Sequence, residues 1–162
     1  PVFGAVFIPA KAVLYFGAQT MGAYKIDAPE QITAIGEGRP QSVDEVISQA
    51  TLLPVDTTPH DCLTIVGSRS HLTDAVKKFV EKKRAEYGEV AFVSAGSSLK
   101  ICLVAEGAAD IYPRLGPTME WDIAAGHAVA ENAGARFYCF ETGDKMVYNR
   151  EDLLNPWFVV ER

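Results

Sequence analysis

From residue 62 onward the chain alternates short β-rich runs with segments of helical periodicity. That alternation restricts it to layered α/β architectures in which helices cover a sheet. CLTIVGS (62–68) reads as a buried strand. After it Leu72, Ala75, Val76, Phe79, Val80 and Tyr87 recur at helical spacing with Lys77, Lys78, Glu81 and Lys82 off the stripe, which predicts an amphipathic helix. EVAFVS (89–94) is a second strand, SSLKICLVAEG a mostly apolar helix stopped by Gly107, and ADIYP a third strand. Residues 120–133 form a second, mostly buried helix closed by Gly134, and ARFYCF and WFVVE supply two more strands.

The start of the chain has a different character. Runs at 2–8 and 13–18 flank Pro9-Ala10-Lys11-Ala12 as a hairpin would, and GAYKI and QITAI offer further short strands. Residues 36–61 are richer in Gly, Pro and polar side chains, with one short helix expected at 43–50. The reading is therefore a set of strands over 1–35, a connecting segment over 36–61 and an α/β domain over 62–162. Two or three strands make a poor domain alone, so 1–35 reads as part of a larger sheet.

Composition excludes several classes. A chain of 162 residues, 48% hydrophobic and 22% charged, has ordinary globular usage. Its net charge of −6 argues against a general nucleic-acid binder, which needs a basic face, so any phosphate site must be local. Cys62, Cys102 and Cys139 are odd in number and widely spaced, which suits neither a zinc ribbon nor a disulfide framework. With no long uncharged apolar run and no signal-peptide pattern, a reducing cytoplasm is the plain reading.

Three junctions carry chemistry. In YPRLGPTMEWDIAAGHAV (112–129), Glu120 and Asp122 fall in the first turn of a helix, where carboxylates interact favourably with the dipole. Glu120 reads as such a charge and no more. Asp122 is followed by Ala124, Ala125, Gly126 and Ala128, small residues that let the helix lie close to a neighbour and present a carboxylate rigidly. That suits a hard cation such as Mg²⁺, though one carboxylate does not hold the ion by itself. SAGSSLK (94–100) leads from strand to helix; Ser97, Ser98, Lys100 and the backbone N–H groups make a local anion site, or the serines simply cap the helix. Lys100 beside Ile101, Cys102 and Leu103 is costly unless it meets an anion or solvent. Arg114 offers phosphate a planar fork, or else pairs with Asp110 or Glu106. In VGSRSH (66–71), Arg69 and His71 can reach a ligand at the strand's C-terminal end, and Ser70 reads as a cap. His60 and His127 read as structural, and Cys102 as core.

Taken together, PVFGAVFIPAKAVLYFGAQTMGAY, SRSH, GSSLKICLVAEGAADIYPRLGPT, EWDIAAGHAVAENAGA and LLNPWFVV resemble the magnesium-dependent, lithium-sensitive inositol monophosphatase superfamily. Within it they are most similar to the CysQ-type 3'(2'),5'-bisphosphate nucleotidases. The similarity spans nearly the whole chain except 36–61. It implies a layered αβαβα sandwich in the complete enzyme and removal of the 3'-phosphate of adenosine 3',5'-bisphosphate, giving AMP and phosphate, a clearing step of sulfate assimilation. It makes Asp122 a Mg²⁺ ligand that also contacts the phosphate or ribose, and assigns Ser97, Lys100 and Arg114 to the nucleotide and His71 to the adenosine. Ser98 and Arg69 join the same substrate set. Family members carry a D-P-[IL]-D-G-T element that holds most of the metal, and none occurs in this chain, where Asp56 and Asp61 have no matching spacing. The expectation is thus a carboxyl-terminal part of the enzyme, inactive alone, whose partner is the amino-terminal half, with self-association through strands 2–18 as a further expectation. An inositol or fructose phosphatase and a non-catalytic nucleotide-binding or assembly module are the alternatives.

Overall fold

Fixed φ at Pro9 and the β-rich runs on either side of it close the first hairpin. β1 (Phe3–Ile8) and β2 (Val13–Ala18) pair antiparallel across a 3-10 turn at Pro9–Lys11, where the Ala12 N–H donates to the Pro9 carbonyl at 3.1 Å. β3 (Gly22–Ile26) adds to β2, also antiparallel. The computed structural model describes residues 1–27, 42–68 and 73–162; the strand expected at 31–35 and Arg69, Ser70, His71 and Leu72 lie outside the described residues. α1 (Val43–Ser48) forms within the segment read as connecting, its start closed by reciprocal bonds: the Ser42 N–H donates to Glu45 Oε2 at 2.7 Å and the Glu45 N–H to Ser42 Oγ at 3.2 Å. β4 (Thr51–Leu52) follows and pairs with β3, so this segment contributes a strand to the first sheet, ordered β1-β2-β3-β4.

The second sheet has the order β6-β5-β7-β9-β8, built from β5 (Leu63–Gly67), β6 (Val90–Ser94), β7 (Ile111–Arg114), β8 (Arg136–Cys139) and β9 (Phe158–Glu161). β5 runs parallel to β6 and β7, whereas β9 runs antiparallel to β7 and β8. α2 (Asp74–Tyr87) lies on its outer side, with Val76 and Val80 packed against Ile65, Val90, Ile111, Leu115 and Val159. Thr73 takes the capping place that the sequence reading gave to Ser70, its Oγ1 accepting from the Val76 N–H at 3.3 Å. α3 (Leu99–Glu106) and α4 (Glu120–Asn132) fill the space between the two sheets. The layers therefore run sheet, helices, sheet, helix.

Small residues govern how α4 sits. A Cβ on Gly4 would collide with the Ala125 carbonyl oxygen, and one on Gly17 would lie 3.2 Å from Val129 Cα. On another side of the helix a Cβ on Gly126 would lie 3.0 Å from Ile101 Cδ1 of α3. His127 is structural, as expected: it is 3% exposed, stacks on Phe137 with centroids 4.1 Å apart, and its Nδ1 lies 2.6 Å from the Tyr148 hydroxyl. Burial pushes its pKa down to about 4, so it stays neutral at ordinary pH. Cys102 is core as well, its thiol pushed up to about 12 by the same cause.

This packing makes a prediction. Gly4→Val should lower stability by about 1–3 kcal/mol in chemical denaturation, the usual cost of overpacking. Ala5→Val, at the exposed neighbouring position, should stay within about 0.5 kcal/mol. Equal effects at the two sites would contradict the close approach of β1 and α4.

Candidate functional site

The parallel strands β5, β6 and β7 end at one edge of the second sheet, and the residues following each strand meet there. Two adjoining cavities open at that edge. A polar one of about 320 Å³ is lined by Ser97, Ser98, Thr118 and Asp122, among others, and a second of about 380 Å³ by Gly67, Thr73, Pro113, Leu115 and Pro117. Ser68, Lys100, Tyr112 and Arg114 line both. The cavities are two lobes of one site, with the cations at their junction.

Burial and charge give that junction its character. Lys100 is 4% exposed, and its Nζ donates to the Ser97 carbonyl at 2.9 Å and the Ala95 carbonyl at 3.4 Å, 5.3 Å from the centre of the Tyr112 ring. Burial, with the charge of Arg114 added, pushes its pKa down to about 8. Arg114 Nη2 donates to the Pro117 carbonyl at 2.7 Å, and its buried Nε has no hydrogen-bond partner. The carboxylates offered in the sequence reading as partners for Arg114 are engaged elsewhere. Asp110 accepts from Arg162 Nε at 2.9 Å and from the Thr64 N–H at 2.7 Å, and lies 2.8 Å from His60 Nδ1. Glu106 accepts from the Tyr15 hydroxyl and from Lys25 Nζ, both at 3.0 Å. Among the described residues neither Lys100 nor Arg114 forms an ion pair. A buried ammonium beside a half-buried guanidinium, neither in an ion pair among the described residues, is stabilised by an incoming anion.

Around them the backbone turns sharply. Ser97 adopts a left-handed conformation, φ 48°, a strained setting for a non-glycine residue that puts Ser98 at the start of α3. The alternative of simple capping is not realised: Ser98 makes no side-chain cap bond, and its Oγ instead donates to the Asp122 carbonyl at 3.0 Å, tying α3 to the first turn of α4. Asp122 Oδ2 accepts from the Met119 N–H at 2.8 Å. Oδ1 makes no hydrogen bond among the described residues and remains available as a hard oxygen ligand. No group of three or more His, Cys, Asp or Glu side chains converges among the described residues, so these residues form no complete metal site by themselves.

Five residues singled out in the sequence thus come together: Ser97, Ser98, Lys100, Arg114 and Asp122. Arg69 and His71 lie outside the described residues, while Ser68 and Thr73, which precede and follow them in sequence, line the second lobe. Tyr112 and Thr118 also line the site and had been passed over, although both stand inside the Y-P-R-x-G-P-T stretch that was read. Glu120 does more than was read. It is buried and accepts from the Asn149 N–H at 2.8 Å, the Arg150 N–H at 3.3 Å and Arg150 Nε at 3.2 Å, fastening that loop to the helix. Its partners are about thirty residues away, and no local signal could have named them.

A pH dependence follows from Lys100. Its ammonium is the form that attracts an anion, and with a folded pKa of about 8 that form is present at pH 7 and lost as pH rises. Calorimetric affinity for sulfate, an anion of constant charge, should fall by roughly tenfold or more across this range, the scale of one charge-assisted hydrogen bond. Lys100→Met should flatten the profile. An unchanged slope in that variant would contradict the assignment.

The geometry agrees with what comparison with known proteins finds. Residues 1–160 match the model of the inositol monophosphatase family. The chain is 36% identical over 161 residues to the 3'(2'),5'-bisphosphate nucleotidase CysQ of Salmonella typhimurium, covering 99% of this chain and 54% of that protein. The Escherichia coli K12 protein of the same name gives the same identity and coverage. Among solved structures, CysQ of Bacteroides thetaiotaomicron superposes with a TM-score of 0.90 at 43% identity, over 99% of this chain and 58% of that one. Inositol monophosphatase II of Staphylococcus aureus, at 18% identity and a TM-score of 0.68, shares the fold. The chain spans about half the length of the curated relatives it matches. With its family model matching almost from end to end, the chain belongs to the inositol monophosphatase family.

Proposed function

We propose that the chain is the substrate-binding half of a 3'(2'),5'-bisphosphate nucleotidase that converts adenosine 3',5'-bisphosphate to AMP and phosphate. The observation that carries this reading is the buried Lys100 next to the half-buried Arg114, neither of them ion-paired among the described residues, at the junction of two cavity lobes with Asp122 beside them. A ligand with two phosphates on one ribose suits two cations that form no ion pair among the described residues. The names of the relatives at 36% identity support the same substrate.

Each lobe takes a different part of the ligand. The polar lobe, with the hydroxyls of Ser97, Ser98 and Thr118 and the carboxylate of Asp122, receives the phosphate to be removed. Lys100 and Arg114 neutralise charge on the phosphoryl oxygens and hold the second phosphate, which orients the ester. The other lobe, walled by Gly67, Tyr112, Pro113 and Leu115, takes the nucleoside. Asp122 would hold Mg²⁺ together with oxygen ligands from outside the described residues. When bound, the ion supplies charge neutralisation at the reacting phosphate.

The first sheet supports a place for those ligands in a further layer of protein. Its face toward α4 is closed by Gly4 and Gly17, yet the opposite face is apolar too, with Phe3 paired to Ala18, Ala5 to Phe16 and Phe7 to Leu14. Phe3 and Phe7 are 60% and 47% exposed. A sheet apolar on both sides calls for a further covering layer. The amino-terminal half of a longer enzyme is the partner proposed for that face.

Turnover tests the whole reading. A protein with the full length of the relatives should release phosphate from adenosine 3',5'-bisphosphate in a Mg²⁺-dependent, Li⁺-inhibited reaction and leave AMP intact, while residues 1–162 alone should release none. Faster release from inositol monophosphate than from the bisphosphate would overturn the substrate.

A further inference from the structure

α2 covers β6, β5 and β7, but the sheet continues past it to β9 and β8. The strip left beside the helix is a groove of about 460 Å³ whose floor holds Phe79, Tyr138, Phe140 and Val159. Phe79 meets Phe140 edge-on with centroids 6.1 Å apart, and Phe140 lies 6.5 Å from Trp157, so the aromatic row runs on past the groove itself. Phe140 and Trp157 are 39% and 38% exposed.

The rim is cationic. α2 carries Lys77, Lys78, Lys82, Lys83 and Arg84, five of the 15 lysines and arginines in a chain of net charge −6. Lys77 and Arg84 are paired with Asp74 and Glu81. Of the three that line the groove, Lys82 and Lys83 share Glu86, at 3.8 and 3.1 Å, and Lys78, which adds only to the field at Asp74, forms no ion pair among the described residues. Lys83 is held over the rings of Phe79 and Tyr87, at 5.8 and 5.2 Å. Glu161, whose Oε2 accepts from the Tyr138 hydroxyl, is paired with Arg136.

We propose that this groove docks an acidic protein segment carrying an apolar anchor side chain. An aromatic floor inside a charged rim is the arrangement in which a few anchors hold a partner and rim charges steer it. The surplus of ammonium groups selects an acidic sequence. The apolar part is concave and accepts a protruding side chain, whereas membrane contact through a helix needs an apolar face that projects into the lipid. The two sides of α2 face different openings: Thr73 and Val76 line the cavity, Ala75, Lys78, Phe79 and Lys82 line the groove, and Leu115 stands between them as the one residue lining both.

The test uses a synthetic nine-residue peptide with four glutamates on each side of a phenylalanine, titrated into ¹⁵N-labelled protein. Amide shifts should concentrate at residues 75–83, 138–140 and 157–159, and the affinity should weaken with salt. Lys78→Glu combined with Lys82→Glu should weaken binding about tenfold or more, and Phe140→Ser should also weaken it. The charge-reversal variant should still bind sulfate at the cavity, which reports an intact fold. Equal shifts from a peptide with lysines in place of the glutamates, or no shifts at these residues, would overturn the proposal. So would groove-dependent binding to phosphatidylserine vesicles without a peptide response, which would assign the face to a membrane.

Discussion

Gly4 and Gly17 present bare backbone to α4, and Gly126 does the same toward Ile101 of α3. With no Cβ at these places the helix settles against the first sheet on one side and against α3 on another. That close seating determines where Asp122 lies, three positions into the helix, and lets the Ser98 hydroxyl reach the Asp122 carbonyl. A wider separation would part the serine loop from the carboxylate. Glu120, in that same turn, completes the arrangement by clamping Asn149 and Arg150 to it.

Electrostatics then separates the acids that build from the cations that bind. Asp110 and Glu106 are each enclosed by donors, and so stitch the second sheet and α3 to segments distant in sequence. Among the described residues Lys100 and Arg114 donate to backbone carbonyls and pair with no carboxylate, which leaves their charge open at the junction of the two lobes. Burial of an uncompensated charge destabilises the free protein, and a ligand that brings the missing negative charge recovers that free energy. Strain at Ser97 belongs to the same economy of local cost and binding gain.

Much of this was legible in the sequence, because periodicity and motif carry local information. The hairpin, the helix stripe of Val76 and Val80 and the small-residue helix all stand where patterning put them. Ser97, Ser98, Lys100, Arg114 and Asp122, which line one cavity, were readable as candidates because each sits at a strand-to-helix junction with an unusual neighbour. What escaped depends on long-range pairing. Thr51 and Leu52 join β3 across an intervening segment with no strand signal of their own, and Arg114 had two plausible acidic partners until those acids proved to be enclosed by other donors. Glu120 resembled any acidic residue at a helix start, and only its burial against Arg150 distinguishes it.

The central claim is that Lys100 and Arg114 form a receptor for two phosphates on one ligand. Calorimetric titration of this chain with adenosine 3',5'-bisphosphate and with AMP, at pH 7 and without metal, tests it most directly. The account predicts that the bisphosphate binds at least about tenfold more tightly, a difference of roughly 1.4 kcal/mol. Equal affinities for the two nucleotides would contradict it.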